Sequence, residues 1–130
     1  MKYISTRGES PALSFEDTML TGLAPDGGLY VPETVPVLGA ADIAAMHGAA
    51  YEDVAFRVMH PFLGDTFTDD EFRTLIAKAY ADFEHVSRAP LKQVGDGQWM
   101  AELFHGPTLA FKDFAMQLIC LLYTSPSPRD

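Results

Sequence analysis

The chain has 130 residues, 48% of them apolar, with nine basic against eighteen acidic side chains and a net charge of −9. That length suits one domain, or a small domain with part of another. The acidic balance argues against nucleic acid and anionic membrane as partners, since both select basic patches, and leaves room for a small phosphorylated ligand held by local donors.

Lys2 to Ser5 reads as a short strand. Ser14 then stands as an N-cap, with Phe15, Met19 and Leu20 near helical spacing, Glu16 and Asp17 in the first turn, and Gly22 as the stop. Pro25-Asp26-Gly27-Gly28 is a turn by composition, after which Leu29-Tyr30-Val31 extends as far as Pro32. Ala40 to Met46 predicts a short helix closed by Gly48. Tyr51 to Phe62 predicts another, with Val54, Val58 and Phe62 on one face and Pro61 at its end. Thr68-Asp69-Asp70-Glu71 is a capping box, and its carboxylates read as first-turn residues favoured by the helix dipole rather than as a metal site. It opens the clearest helix, with Phe72, Leu75, Ile76, Ala79 and Phe83 forming an apolar stripe.

Helices dominate to about Arg88 and strands appear after it, which places a boundary near residues 86 to 90. Leu91 to Val94 and Gln98 to Leu103 flank Gly95-Asp96-Gly97 and predict a hairpin. An isolated hairpin is marginal, so its strands are expected to present open edges. A final helix is expected from near Phe111 through Leu122. The polar, Pro-rich Tyr123-Thr124-Ser125-Pro126-Ser127-Pro128-Arg129-Asp130 is not expected to continue it. The single cysteine, Cys120, excludes an intrachain disulfide framework and reads as a small core residue. Met1 to Arg7 lacks the apolar run of a signal peptide, and no stretch approaches the roughly 18 apolar residues of a membrane span. A cytoplasmic location is therefore expected.

Chemistry concentrates around Lys112. It follows a Gly106-Pro107 turn and sits among Leu109, Phe111 and Phe114 where a helix begins. An amine that forms a Schiff base must be uncharged to attack. A helix start disfavours a cation by roughly 0.3–1 kcal/mol. Burial among the three apolar neighbours is expected to add a larger desolvation effect, and a nearby Asp113 carboxylate to oppose it. The other reading is a solvated lysine. Thr108 reads either as a phosphate-binding hydroxyl beside free helix N–H groups or as a turn residue, and His105 either as a site-lining group or as a turn histidine bonded to backbone. Arg7 could hold an anion, although a lone loop arginine is usually a surface residue. The histidines and Cys120 show no metal-ligand spacing, so no metal is expected.

The run Glu102-Leu103-Phe104-His105-Gly106-Pro107-Thr108-Leu109-Ala110-Phe111-Lys112-Asp113-Phe114 closely resembles the cofactor-lysine segment of threonine synthases. Tyr3-Ile4-Ser5-Thr6-Arg7-Gly8, Ser14-Phe15 and Gly22-Leu23-Ala24-Pro25-Asp26-Gly27-Gly28-Leu29-Tyr30-Val31-Pro32 resemble the opening of the bacterial members, in the same order and spacing. The resemblance covers about residues 1 to 119. It implies an α/β, α-rich chain: a helical N-terminal domain followed by the first elements of a tryptophan-synthase-β-like, fold type II, pyridoxal-phosphate catalytic domain. It implies conversion of O-phospho-L-homoserine and water into L-threonine and phosphate. By the same resemblance Lys112 is the catalytic lysine that tethers pyridoxal phosphate, Phe111 contacts the cofactor, and Thr108 and Asp113 shape the pocket.

The family's chains are longer, and the glycine-rich loop that cradles the cofactor phosphate lies beyond this sequence; Gly27-Gly28 and Gly95-Asp96-Gly97 are better read as turns. The expected organisation is an N-terminal domain over 1–88, the start of the catalytic domain over 89–119, and a Ser/Pro-rich segment foreign to the family over 120–130. The polypeptide is expected to be an inactive piece of a threonine synthase. The alternatives are a non-catalytic helical module and a piece of another pyridoxal-phosphate lyase of the same fold type. Nothing in the sequence bears on oligomeric state.

Overall fold

The computed structural model describes residues 1–125. Pro126 to Asp130, within the expected foreign segment, lie outside the described residues. Strand β1 (Tyr3–Ser5) pairs antiparallel with β2 (Tyr30–Pro32), Ile4 opposite Val31. Between them lies helix α1 (Phe15–Thr21). Its Ser14 N-cap accepts the Asp17 N–H at 3.1 Å, and the helix stops at Gly22, whose φ of 73° suits a residue without a Cβ.

The 25–28 turn is organised by Asp26. Its carboxylate accepts from the Ser5 hydroxyl at 2.8 Å, the Glu9 N–H at 3.1 Å and the Gly28 N–H at 2.9 Å. A Cβ on Gly28 would meet Ser5 Oγ at 2.5 Å, so glycine is required where this turn closes on β1. Arg7 Nη1 donates to the Asp26 carbonyl, and the Tyr30 hydroxyl to the Pro11 carbonyl. Both side chains thus brace the N-terminal turns.

Helices α2 (Ala40–Ala45), α3 (Tyr51–Leu63) and α4 (Asp69–Tyr80) follow. The capping box forms as expected: Thr68 Oγ1 accepts the Glu71 N–H at 3.3 Å, and Glu71 accepts the Thr68 N–H at 2.8 Å. Asp69 pairs with His60 at 2.9 Å. Every residue of the expected stripe is buried, with Ile76 at 0% exposure, but α4 ends at Tyr80, so Phe83 reaches the core from the turn beyond the helix.

The expected face of α3 is corrected. Ala55, Phe56 and Leu63 are its buried residues, while Val58 is 40% exposed. Phe56, Met59 and Leu63 share one helical face, and Phe56 packs on Phe72 with ring centroids 5.8 Å apart. Two stripes were compatible with the spacing, and the one whose Phe56 meets Phe72 of α4 turned inward. Pro61 lies inside the helix rather than at its end, close enough to the last turn for α3 to run on to Leu63.

Strands β3 (Leu91–Gly95) and β4 (Gln98–Ala101) form the expected hairpin, with Gly97 at φ 66° and a register irregularity between Gln93 and Gly95. The second strand ends at Ala101 rather than Leu103. Leu91, Val94, Trp99 and Met100 are all exposed.

Helix α5 (Asp113–Thr124) then returns to the helical layer. Leu118 and Leu122 are buried in one cluster with Phe72 and Ile76. The expectation that Tyr123 and Thr124 leave the helix is therefore corrected: the Thr124 hydroxyl donates to the Cys120 carbonyl at 2.9 Å, and the Ser125 N–H to the Leu121 carbonyl. Cys120 is likewise not a core residue but exposed, because the helical period gives the inward positions to Leu118 and Leu122. Where the helical part meets the hairpin, Arg88 takes φ 59°, its guanidinium bonding Glu52 of α3 and the His85 carbonyl.

Candidate active site

The site is the turn between Gly106 and Lys112, held between the hairpin and α5. The Leu109 N–H bonds the Gly106 carbonyl at 3.1 Å and Leu109 takes φ 62°, a left-handed conformation that a branched side chain adopts only at a cost. The Asp113 N–H bonds the Ala110 carbonyl at 3.0 Å, and the Lys112 carbonyl accepts the first helical bond of α5 from Met116 at 2.8 Å. Lys112 is therefore the residue at the threshold of the helix, in αR conformation.

Behind the turn, two bonds fix it to the helical layer. The Glu84 N–H donates to the His105 carbonyl at 3.0 Å, and the Tyr80 hydroxyl donates to the Phe114 carbonyl at 2.8 Å. Burial pushes the Tyr80 phenol strongly upward, so it stays a neutral donor. Tyr80, Phe83 and Phe114 form a ring cluster, with Phe83 and Phe114 centroids 5.0 Å apart.

The structure places the predicted residues differently in one respect. Lys112 is exposed and, among the described residues, its amine has no hydrogen-bond or ion-pair partner. Phe111 is 65% exposed and Leu109 is exposed beside it; of the three expected neighbours only Phe114 turns inward. The expected burial of Lys112 is thus corrected. The turn projects outward because its inner side is taken by Asp113.

Asp113 is 2% exposed. Its Oδ2 accepts the Thr108 N–H at 2.9 Å, and its Oδ1 accepts from the Thr108 hydroxyl at 2.8 Å and from Gln117 Nε2 at 3.2 Å. Burial alone would push this carboxyl up; the bonds from Thr108 and Gln117 outweigh it and hold the group below the ordinary carboxylate range. Thr108 therefore serves the turn, its hydroxyl spent on Asp113. His105 Nε2 lies 3.1 Å from Glu102, and its ring is 5.1 Å from that of His85. The sequence pointed to Lys112 and Phe111 but not to Asp113 as the keystone. The available signal was an aspartate at a helix start, five positions after a threonine in a Gly-Pro turn.

A family model described as "Threonine synthase N terminus" matches residues 2–80. The chain belongs to the threonine synthase family. The threonine synthase of Pseudomonas aeruginosa is 53% identical over 119 residues, covering 92% of this chain and 25% of that protein. The threonine synthase of Schizosaccharomyces pombe is 40% identical over 124 residues, covering 95% of this chain and 24% of its own length. A crystal structure of pyridoxal-phosphate-bound threonine synthase from Brucella melitensis superimposes with a TM-score of 0.89 at 49% identity, over 92% of this chain and 26% of that one. The yeast threonine synthase structure matches with a TM-score of 0.86 at 37% identity. The chain thus spans about a quarter of the length of the threonine synthases it matches. Its fold is of the α/β, fold type II pyridoxal-phosphate class, represented here by the α-rich beginning of such a protein.

Proposed function

We propose that this chain forms the opening section of a threonine synthase that converts O-phospho-L-homoserine and water into L-threonine and phosphate, with Lys112 as the tether of pyridoxal phosphate. The observation that carries the reading is the free amine of Lys112, projected on a turn whose neighbouring carboxylate is fully occupied elsewhere. An unpaired primary amine on a rigid support fits a group bound through its aldehyde carbon. When bound, pyridoxal phosphate supplies an electron sink for carbanion chemistry. Lys112 would hold that group in place through its Nζ, the same atom that would carry protons. Phe111, exposed next to Lys112, provides an apolar surface for the cofactor ring. Support for the substrate class comes from the family membership and the high coverage of this chain by threonine synthases.

The proposed division is a helical N-terminal domain over 1–88, supported by the family model's match to residues 2–80, followed by the first catalytic-domain elements over 89–119, with 120–130 outside the family pattern. The 130 residues alone place Lys112 in open solvent, so on their own they form no stable adduct with the cofactor. In the cell, a cytoplasmic setting suits this chemistry; no helix of the described residues is long and apolar enough to cross a membrane.

The test is reductive trapping. A protein of the relatives' full length that begins with this chain is mixed with pyridoxal phosphate, reduced with borohydride and mapped by peptide mass. Label on Lys112, lost in Lys112→Ala together with turnover of O-phospho-L-homoserine, is the expected result. Label on another lysine with turnover intact in Lys112→Ala overturns the assignment. The 130-residue chain treated in parallel is expected to show only the diffuse, low labelling of its surface lysines.

A further inference from the structure

We infer that Asp113 is the positioning residue of Lys112: its buried carboxylate folds the turn over residues 106–111 and, by facing that turn, leaves the adjacent amine without a counter-ion. The functional meaning of this inference rests on the tether reading of Lys112; the geometry is independent of it.

An ionised carboxylate only accepts hydrogen bonds, and burying one is costly unless donors surround it. Asp113 has three such donors, two of them from Thr108. The packing is close on the other side as well. A Cβ at Gly106 would lie 2.5 Å from both Asp113 Cβ and Oδ2, so the backbone of Gly106 rests directly on this side chain. The left-handed conformation of Leu109 lies inside the loop so closed. Strain of that kind persists where the surroundings over-determine the backbone, and here the carboxylate does so.

The same orientation matters for the amine. A free carboxylate beside an amine favours the charged form, which cannot attack a carbonyl. Asp113 is next to Lys112 in sequence, yet its oxygens are committed to Thr108 and Gln117. Asparagine would keep the shape but not the function. With its oxygen on the Thr108 N–H, its NH2 would face the Thr108 hydroxyl and Gln117, which must both turn to accept, and the bond to the Thr108 N–H would lose its charged acceptor.

Amide hydrogen exchange on the 130-residue chain tests the geometry. In Asp113→Asn the Thr108 amide is expected to exchange about tenfold faster while the Ile76 amide is unchanged. Thr108→Val, which removes the hydroxyl alone, is expected to loosen the turn less, and Thr108→Ser to restore wild-type protection. The folded Asp113 pKa lies below its unfolded value, so protection of Thr108, corrected for intrinsic rate, is present above the unfolded value and lost as pH falls through the folded one. Equal Thr108 exchange in wild type and Asp113→Asn overturns the inference. Should Asp113→Asn also lose Ile76 protection, the Thr108→Val and Thr108→Ser pair decides, and equal behaviour of those two overturns it. In the full-length protein, borohydride trapping on Lys112 is expected to fall about tenfold in Asp113→Asn; undiminished trapping there also overturns it. Absence of label on wild-type Lys112 would instead sink the tether reading and leave the exchange result standing.

Discussion

The Tyr80 hydroxyl donates to the Phe114 carbonyl at 2.8 Å, tying the end of α4 to the first turn of α5 across 34 positions of chain. The phenol is buried against Phe83 and Phe114 and edge-on to Tyr51, with centroids 4.9 Å apart. Tyr80→Phe keeps the ring and removes the donor. The expected loss is about 1 kcal/mol, read as a lower urea midpoint with an unchanged slope. A midpoint equal to that of wild type would show that the bond adds nothing to the docking of α5.

The core is predicted to be uneven in its tolerance. Phe72 is 1% exposed and in ring contact with Phe56, so Phe72→Ala is expected to cost about 3–5 kcal/mol, enough to unfold a domain of this size in mild denaturant. Val58, on the outer face of α3, is expected to change stability by less than about 0.5 kcal/mol when cut to alanine. Thermal melts of the two variants side by side check both, and comparable losses would restore the valine face to the core.

Stability in acid is expected to depend on Asp26. Burial pushes its carboxyl up, but the Gly28 and Glu9 N–H groups and the Ser5 and Ser10 hydroxyls outweigh this and lower it to about 2. Because the folded value lies below the unfolded one, the stabilisation is complete above about pH 4 and is lost as pH falls towards the folded value. Asp26→Asn should flatten the pH dependence of the urea midpoint across that window while lowering stability at neutral pH. A parallel downward shift at every pH would assign the acid sensitivity to another carboxylate.

The hairpin is predicted to be less protected than the helical layer. Trp99, the single tryptophan, is 58% exposed on β4. Its emission should be that of a solvated indole and be quenched freely by acrylamide. The amides of β3 and β4 should exchange faster than those of α4, since a two-stranded hairpin carries little stability of its own. Equal protection of hairpin and α4, or a shielded Trp99, would show that the strands are covered in solution.

Much of the fold was legible because local signals agreed with the tertiary outcome. Ser14, Thr68 with Glu71, and the Gly95-Asp96-Gly97 turn each specify a cap or reversal by their own chemistry, and the α4 stripe admits only one inward face. On α3 the spacing admitted two faces, and only the presence of Phe72 opposite Phe56 selects between them. The end of α5 was misread for a related reason. Composition placed Tyr123 and Thr124 with the Pro-rich segment, whereas Leu118 and Leu122 packing in the core carries the helix on to Thr124. Of the candidate site, the motif directed attention to Lys112 and Phe111 and named Asp113 only as a neighbour that shapes the pocket. The bonds of Asp113 to Thr108 were not legible, because whether a carboxylate faces its neighbouring lysine or turns back onto a threonine is decided by a loop conformation that residue order does not spell out.

Helix α5 can also be viewed mechanically. Lys112 is mounted at one end of a rod whose other end is keyed into the helical layer by Leu118 and Leu122. A slip of that rod by a single turn would carry the amine about 5.4 Å along the axis. The fit of two leucines thus acts as the gauge that sets the reach of a lysine at the protein surface.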